Sequence, residues 1–254
     1  FDLESDESVE EYGGLLKRLY PESSNEITEI IADISNSSRL SGKAFMNIEG
    51  YYAFELAARR LNNTGIPVIV CTSDRETDDF LSAVVADKGL NLFRGDLVDV
   101  LGRFANAAVD LSEDDIIVRA TADNLFPDGE FVNVLLREFE ERQLSYLYAN
   151  SSESDLPDGL KVELFRKKDL VEANEKARTA YEREHVTPYI ISKYGAVFSK
   201  HWQGSGFGKL RATMDTLDDY LRIAMIFHGI DEDPLSISYL DLCSKLKEIN
   251  DEAK

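Results

Sequence analysis

The residues best suited to chemistry fall in short polar segments between apolar runs. Ser35 to Lys43 is a small, polar stretch with two cations, Arg39 and Lys43, and one glycine, Gly42. In such a loop, backbone N–H groups, with Arg39 and Lys43 as charged donors, can hold a triphosphate; the alternative is a solvated turn. The spacing is not that of the Walker-type phosphate loop, because no earlier glycine is present and Lys43 is followed by Ala44. Further on, Arg119 to Asp128 leaves an apolar run with a carboxylate, Asp123, placed to hold Mg²⁺, a hard cation that takes one or two carboxylates plus phosphate oxygens. Asp215 ends the run Leu210 to Met214 and is a second metal candidate; it also precedes Thr216, Asp218 and Asp219, the pattern of a helix N-cap with an acidic first turn. Thr72 and Ser73, and the segment Phe93 to Asp96, offer hydroxyl, amide and guanidinium groups for a base or ribose, and each is equally a turn with a cap. The string Glu182 to Pro188 carries Arg183, His185 and Thr187 on a helical pattern.

To bring these segments together the chain needs a sheet. From Ile27 onward, apolar runs alternate with helical patterns, which predicts an α/β domain with a mainly parallel sheet. The strands are expected at 27–34, 66–72, 90–94, 116–121, 145–149, 160–165 and 210–214. Helices are expected near 51–62, 76–88, 97–110, 129–142, 168–179, 181–193 and 216–228. Ligands of such sheets gather beyond the C-terminal strand ends, so the loops after 34, 72, 94 and 121 are the place to look. Residues 1–26 read as an acidic amphipathic helix (Val9, Tyr12, Leu15, Leu16, Leu19) and a linker broken at Pro21. The main domain is expected over 27–235, and a charged terminal helix over 236–254.

Composition narrows the partners. With 254 residues, 43% of them hydrophobic, the chain can bury a full core. A net charge of −20 repels nucleic acid and anionic membranes, so any phosphate-bearing ligand must meet local cations. Two cysteines 172 positions apart form neither a disulfide framework nor a metal-ligand pattern, which suits a cytoplasmic protein. No run of about 18 apolar residues points to a membrane span. The chain begins at Phe1, which suggests a piece of a longer polypeptide.

In order, the segments 37–43, 72–74, 93–96, 119–123, 157–163, 182–190 and 210–216 resemble the spore coat polysaccharide biosynthesis family of cytidylyltransferases, relatives of the enzymes that make CMP-sugar acids. The likeness covers roughly 27–228. It implies a three-layer nucleotidyltransferase fold of the GT-A/Rossmann-like kind with a mixed, mostly parallel sheet. It also implies CTP over the first loop, and transfer of CMP to a sugar acid or phosphate acceptor with release of pyrophosphate. Residue by residue, it implies that Arg39 and Lys43 contact the triphosphate, with Ser37, Ser38 and Gly42 in the same loop. Asp123 and Asp215 would hold Mg²⁺, and Thr72, Ser73 and Arg119 would line the nucleoside pocket. A homodimer or a neighbouring domain of a longer chain is an expected partner. Ile34 and Asn36 stand where the family usually has arginine and glycine, so a second expectation is a degenerate module that binds a nucleotide sugar or a partner. A glycosyltransferase is disfavoured, because no Asp-x-Asp ends a middle strand.

Overall fold

The computed structural model describes residues 28–34, 42–150 and 153–252. The expected N-terminal helix of 1–26 and the loop residues Ser37, Ser38 and Arg39 lie outside them. Six strands form one sheet: β1 (Thr28–Asp33), β4 (Val68–Ser73), β5 (Asn91–Gly95), β6 (Ile116–Thr121), β7 (Tyr146–Ala149) and β8 (Val162–Arg166), in the order β5-β4-β1-β6-β8-β7. β5, β4, β1 and β6 run parallel, whereas β8 is antiparallel to both β6 and β7. A small hairpin, β2 (Asn47–Ile48) and β3 (Tyr51–Tyr52), was not anticipated; it occupies the start of the helix expected at 51–62.

Alternation along β1 builds the layers. Ile30, Ala32 and Ile34 face one core with α1 (Ala53–Leu61), α2 (Asp79–Asp87) and α4 (Gly129–Glu141), while Ile31 faces a second core with α3 (Val100–Ala107) and α5 (Lys167–Lys176). The result is the expected three-layer α/β fold. α8 (Leu217–His228) and α9 (Tyr239–Glu252) close the first side; Leu242, Cys243 and Leu246 of α9 are buried, so this end of the chain is core rather than a fraying tail. Both cysteines are free and buried. Among the described residues, no helix is long and apolar enough to cross a membrane.

Two further elements differ from expectation. The helix expected over 181–193 is two, α6 (Ala180–His185) and α7 (Pro188–Tyr194). Proline removes a helix hydrogen bond and clashes with the preceding turn, so Pro188 starts a new helix. Between them Val186, fully buried, sits at φ 68°, and the Thr187 amide donates to the His185 carbonyl at 2.8 Å, a γ-turn of the strained hand. The strand expected over 210–214 is only a strap, with single bridges from Thr213 to Asn124 and from Arg211 to Asp158. The Asp158 carbonyl accepts from the amides of both Ala212 and Thr213, and a Cβ on Gly159 would lie 2.5 Å from the Ala212 carbonyl carbon. Glycine is required for that approach, and doubling two amides on one carbonyl is incompatible with a regular ladder.

On β1, Glu29 carries a carboxyl raised from 4.5 to about 7 by burial, with Asp110 and Asp115 adding repulsion. Folding therefore favours its protonated form; that stability is present below the unfolded value and is lost as pH rises from about 4.5 through 7. Glu29 is only partly buried, so water screens part of the effect. Glu29→Gln is expected to stabilise the protein by about 1–2 kcal/mol at pH 8 and by almost nothing at pH 4.5, read from urea unfolding at both pH values.

Candidate active site

Three segments far apart in sequence converge beyond the C-terminal ends of β1 and β6. Lys43 opens a single 3-10 turn, Lys43–Phe45, preceded by Gly42 at φ 72°, a left-handed conformation that glycine adopts without strain. Asp123 follows β6, whose continuation is tied down by the Ala122 amide on the Asp33 carbonyl. Asp215 comes from the strap, which the Met214 amide pins to the Asp123 carbonyl at 3.0 Å. Lys43 Nζ lies 2.8 Å from Asp123 Oδ2 and 3.6 Å from Asp215 Oδ1. The two carboxylate oxygens are thus no farther apart than the sum of these distances; direct ligands of one Mg²⁺ at ~2.1 Å lie at most about 4.2 Å apart, so the bound is spanned when one carboxylate holds the ion directly and the other through a water. Lys43 and Asp215 are both buried, 8% and 7% exposed, so their attraction is weakly screened by solvent.

The remaining oxygens are also engaged. Asp123 Oδ1 accepts from the Thr121 hydroxyl at 2.7 Å, and Asp215 Oδ2 accepts from Arg211 Nη2 at 2.7 Å. Arg211 in turn reaches Asp158 Oδ2 at 2.7 Å and Asp219 Oδ1 at 3.4 Å. Asp219 completes a capping box with Thr216 at the start of α8, so the helix cap is Thr216 and Asp215 is left to face Lys43. The donors are carboxylate oxygens, the hard ligands Mg²⁺ takes. Among the described residues, though, no cluster of three or more His, Cys, Asp or Glu side chains could hold a metal by itself. The pair fits a cation that completes its shell with phosphate oxygens and water.

Residues 30–242 match the Cytidylyltransferase family. The chain belongs to the cytidylyltransferase family. An uncharacterized protein of Methanocaldococcus jannaschii is 31% identical over 89% of this chain and 94% of its own length. The spore coat polysaccharide biosynthesis protein SpsF of Bacillus subtilis is 27% identical over 90% of this chain and 97% of its own. A cytidylyltransferase from Leptospira borgpetersenii serovar Hardjo-bovis superposes with a TM-score of 0.78 at 24% identity, covering 89% of this chain and 95% of that one. A CMP:2-keto-3-deoxy-manno-octonic acid synthetase complexed with CTP does so with a TM-score of 0.55 at 14% identity, covering 81% and 99%; both likenesses are of fold.

In this cytidylyltransferase-family chain, Lys43, Asp123 and Asp215 meet, and Gly42 adjoins them. Arg119 engages a different partner: the alternation of β6 aims its side chain at the second core. Its guanidinium pairs with Glu163 and lies 6.0 Å from the Phe104 ring centroid. Glu163 is a buried hub that also accepts from the Tyr146 hydroxyl at 2.7 Å and the Thr187 hydroxyl at 2.6 Å, fastening the Val186 turn to the sheet. Thr72 and Ser73 donate their hydroxyls to Asp78 Oδ2 at 2.8 and 2.6 Å, leaving only acceptor lone pairs for a nucleoside. Burial raises the Asp78 carboxyl, but hydrogen bonds from Ser73 and Thr72 outweigh it and hold it below the usual range. Ile34, at a position where the family usually has arginine, is a core residue, 8% exposed, with its amide on the Cys71 carbonyl. Arg211 and Asp158 were not singled out from sequence, although both lie in segments that carry the resemblance.

Proposed function

We propose that this chain transfers CMP from CTP to a sugar acid or a related acceptor in polysaccharide biosynthesis. An acceptor oxygen attacks the α-phosphate, its proton is lost, and pyrophosphate leaves. The observation that carries this reading is the grip of Lys43 on both Asp123 and Asp215, which places a phosphate-seeking cation and two hard carboxylates at one point. Asp123 and Asp215 would hold Mg²⁺, which when bound neutralises charge developing on the phosphates. Lys43, with Arg39 from the same segment, would bind the triphosphate, and Arg211 keeps the Asp215 carboxylate oriented. Such chemistry depends on positioning and charge neutralisation rather than on a covalent intermediate. The name of the B. subtilis relative supports the polysaccharide setting, and that of the fold neighbour seen with CTP supports the nucleotide.

The test is pyrophosphate release by the wild-type chain with CTP, Mg²⁺ and a series of sugar acids, beside calorimetric binding of CTP, ATP, GTP and UTP. Turnover with CTP and one acceptor is expected. CTP binding without turnover would mark a binding module, and no preference for CTP would discard the reading. Lys43→Ala is expected to weaken CTP at least tenfold with the fold intact, since a charge-assisted contact contributes about 1.5–3 kcal/mol. A chain of net charge −20 has no general attraction to replace it. Unchanged affinity would remove Lys43 from the phosphate site.

A further inference from the structure

We propose that the Lys43 ammonium is the resident counter-ion of the Asp123 and Asp215 carboxylates, and that it bars a divalent cation until a nucleoside triphosphate draws it away. The inference rests on the metal role proposed above for the two aspartates. Its basis is that each of their four carboxylate oxygens already faces a cation or a hydroxyl donor. Lys43 hydrogen-bonds one oxygen of Asp123 and forms a longer ion pair with one of Asp215, the Thr121 hydroxyl takes the other on Asp123, and Arg211 takes the other on Asp215. A cation bound by both carboxylates would need the space between them, and the ammonium occupies that space at 2.8 and 3.6 Å. Asp123, Asp215, Asp158 and Asp219 already face Lys43, Arg211, Lys161 and Arg222, four charges of each sign, so an arriving metal ion alone meets like charge without gaining net neutralisation.

The two cations differ in what holds them. Arg211 is anchored by Asp158 and Asp219 as well as by Asp215, whereas Lys43 has a flexible four-carbon stem ending in a point charge. Lys43 is therefore the group that can leave. A triphosphate supplies what is missing in one step. Its oxygens give Lys43 a new partner, complete the metal's coordination, and offset the positive charge that the metal adds. Metal and nucleotide consequently enter together, and a metal-loaded site without nucleotide is disfavoured.

Mn²⁺ is the probe, its free concentration read by electron paramagnetic resonance, with the Mn²⁺ held by free CTP subtracted. In the wild type, Mn²⁺ alone is expected to bind at least 100-fold more weakly than Mn²⁺ with CTP. Lys43→Met, close in length and uncharged, is expected to bind Mn²⁺ alone at least tenfold more tightly than the wild type does. Equal affinity for Mn²⁺ alone in the two proteins overturns the inference. If the wild type nonetheless binds Mn²⁺ with CTP, the proposed reaction survives that failure. Absence of Mn²⁺ binding even with CTP removes the metal role and the inference with it. Should Lys43→Met not fold, amine labelling of the wild type read by mass spectrometry decides the matter. Lys43 is expected to stay protected in millimolar Mn²⁺ alone, and its exposure by Mn²⁺ alone would refute the bar.

Discussion

Asp123→Asn is expected to lower CTP-dependent pyrophosphate release about 1,000-fold while lowering the melting temperature by only a few degrees, because Lys43 loses its closer partner but keeps Asp215. The substitution preserves shape and the Thr121 contact, but it replaces a charged metal ligand with a neutral one. Charge stabilisation by a bound metal is worth several kcal/mol, and each ~1.4 kcal/mol is tenfold in rate. Asp215→Asn should behave alike, although Asp215 also balances Arg211. Because both residues serve one ion, the double variant should lose far less than the product of the single losses. Steady-state rates for the three variants, measured beside thermal unfolding, check this. A single variant within tenfold of the wild type would place the metal elsewhere.

The largest effect on stability is expected at Arg60, away from the site. Its side chain is fully buried, and its guanidinium donates to the carbonyls of Leu125, Phe126, Pro234 and Ile237 at 2.6 to 2.9 Å. Asp128 lies 3.8 Å away, and the Phe227 ring centroid is 5.5 Å from the guanidinium carbon. Burial lowers its pKa to about 10, with Asp128 opposing, so the group remains charged at neutral pH. Four carbonyls from two loops, one after β6 and one before α9, have this side chain as a common donor. Arg60→Met keeps the apolar stem but strands them, which is expected to cost about 4 kcal/mol or more. For a chain of this length, that is a drop of roughly 10 °C in melting temperature. Calorimetry showing a drop of less than about 3 °C would mean that water or a shifted loop satisfies the carbonyls instead.

The sequence by itself determined the class of the fold and the residues that meet at the site. Alternating apolar runs predict the parallel strands because both faces of such a sheet must be covered, and Ile30, Ile31 and Ala32 are buried in that way. Lys43, Asp123 and Asp215 could be named because hard-ligand and phosphate chemistry restrict the residue types, and a sheet fixes which loops share an edge. Local patterns also fail in identifiable places. Leu210 to Met214 has the composition of a strand but serves as a strap, because its pairing depends on Gly159, some fifty positions earlier. Arg119 takes the second-core face by the alternation of β6, but the partner it meets there, Glu163, is supplied by β8 and is not legible locally. Arg60, in an otherwise ordinary amphipathic helix, has carbonyl partners up to 177 positions away, and nothing local distinguishes it from a surface arginine. Periodicity and residue chemistry are properties of short segments, and they decided the architecture and the candidate donors. Which cation neutralises which carboxylate is set by contacts between segments 80 to 172 positions apart, and only the tertiary structure decided that Lys43 lies between Asp123 and Asp215.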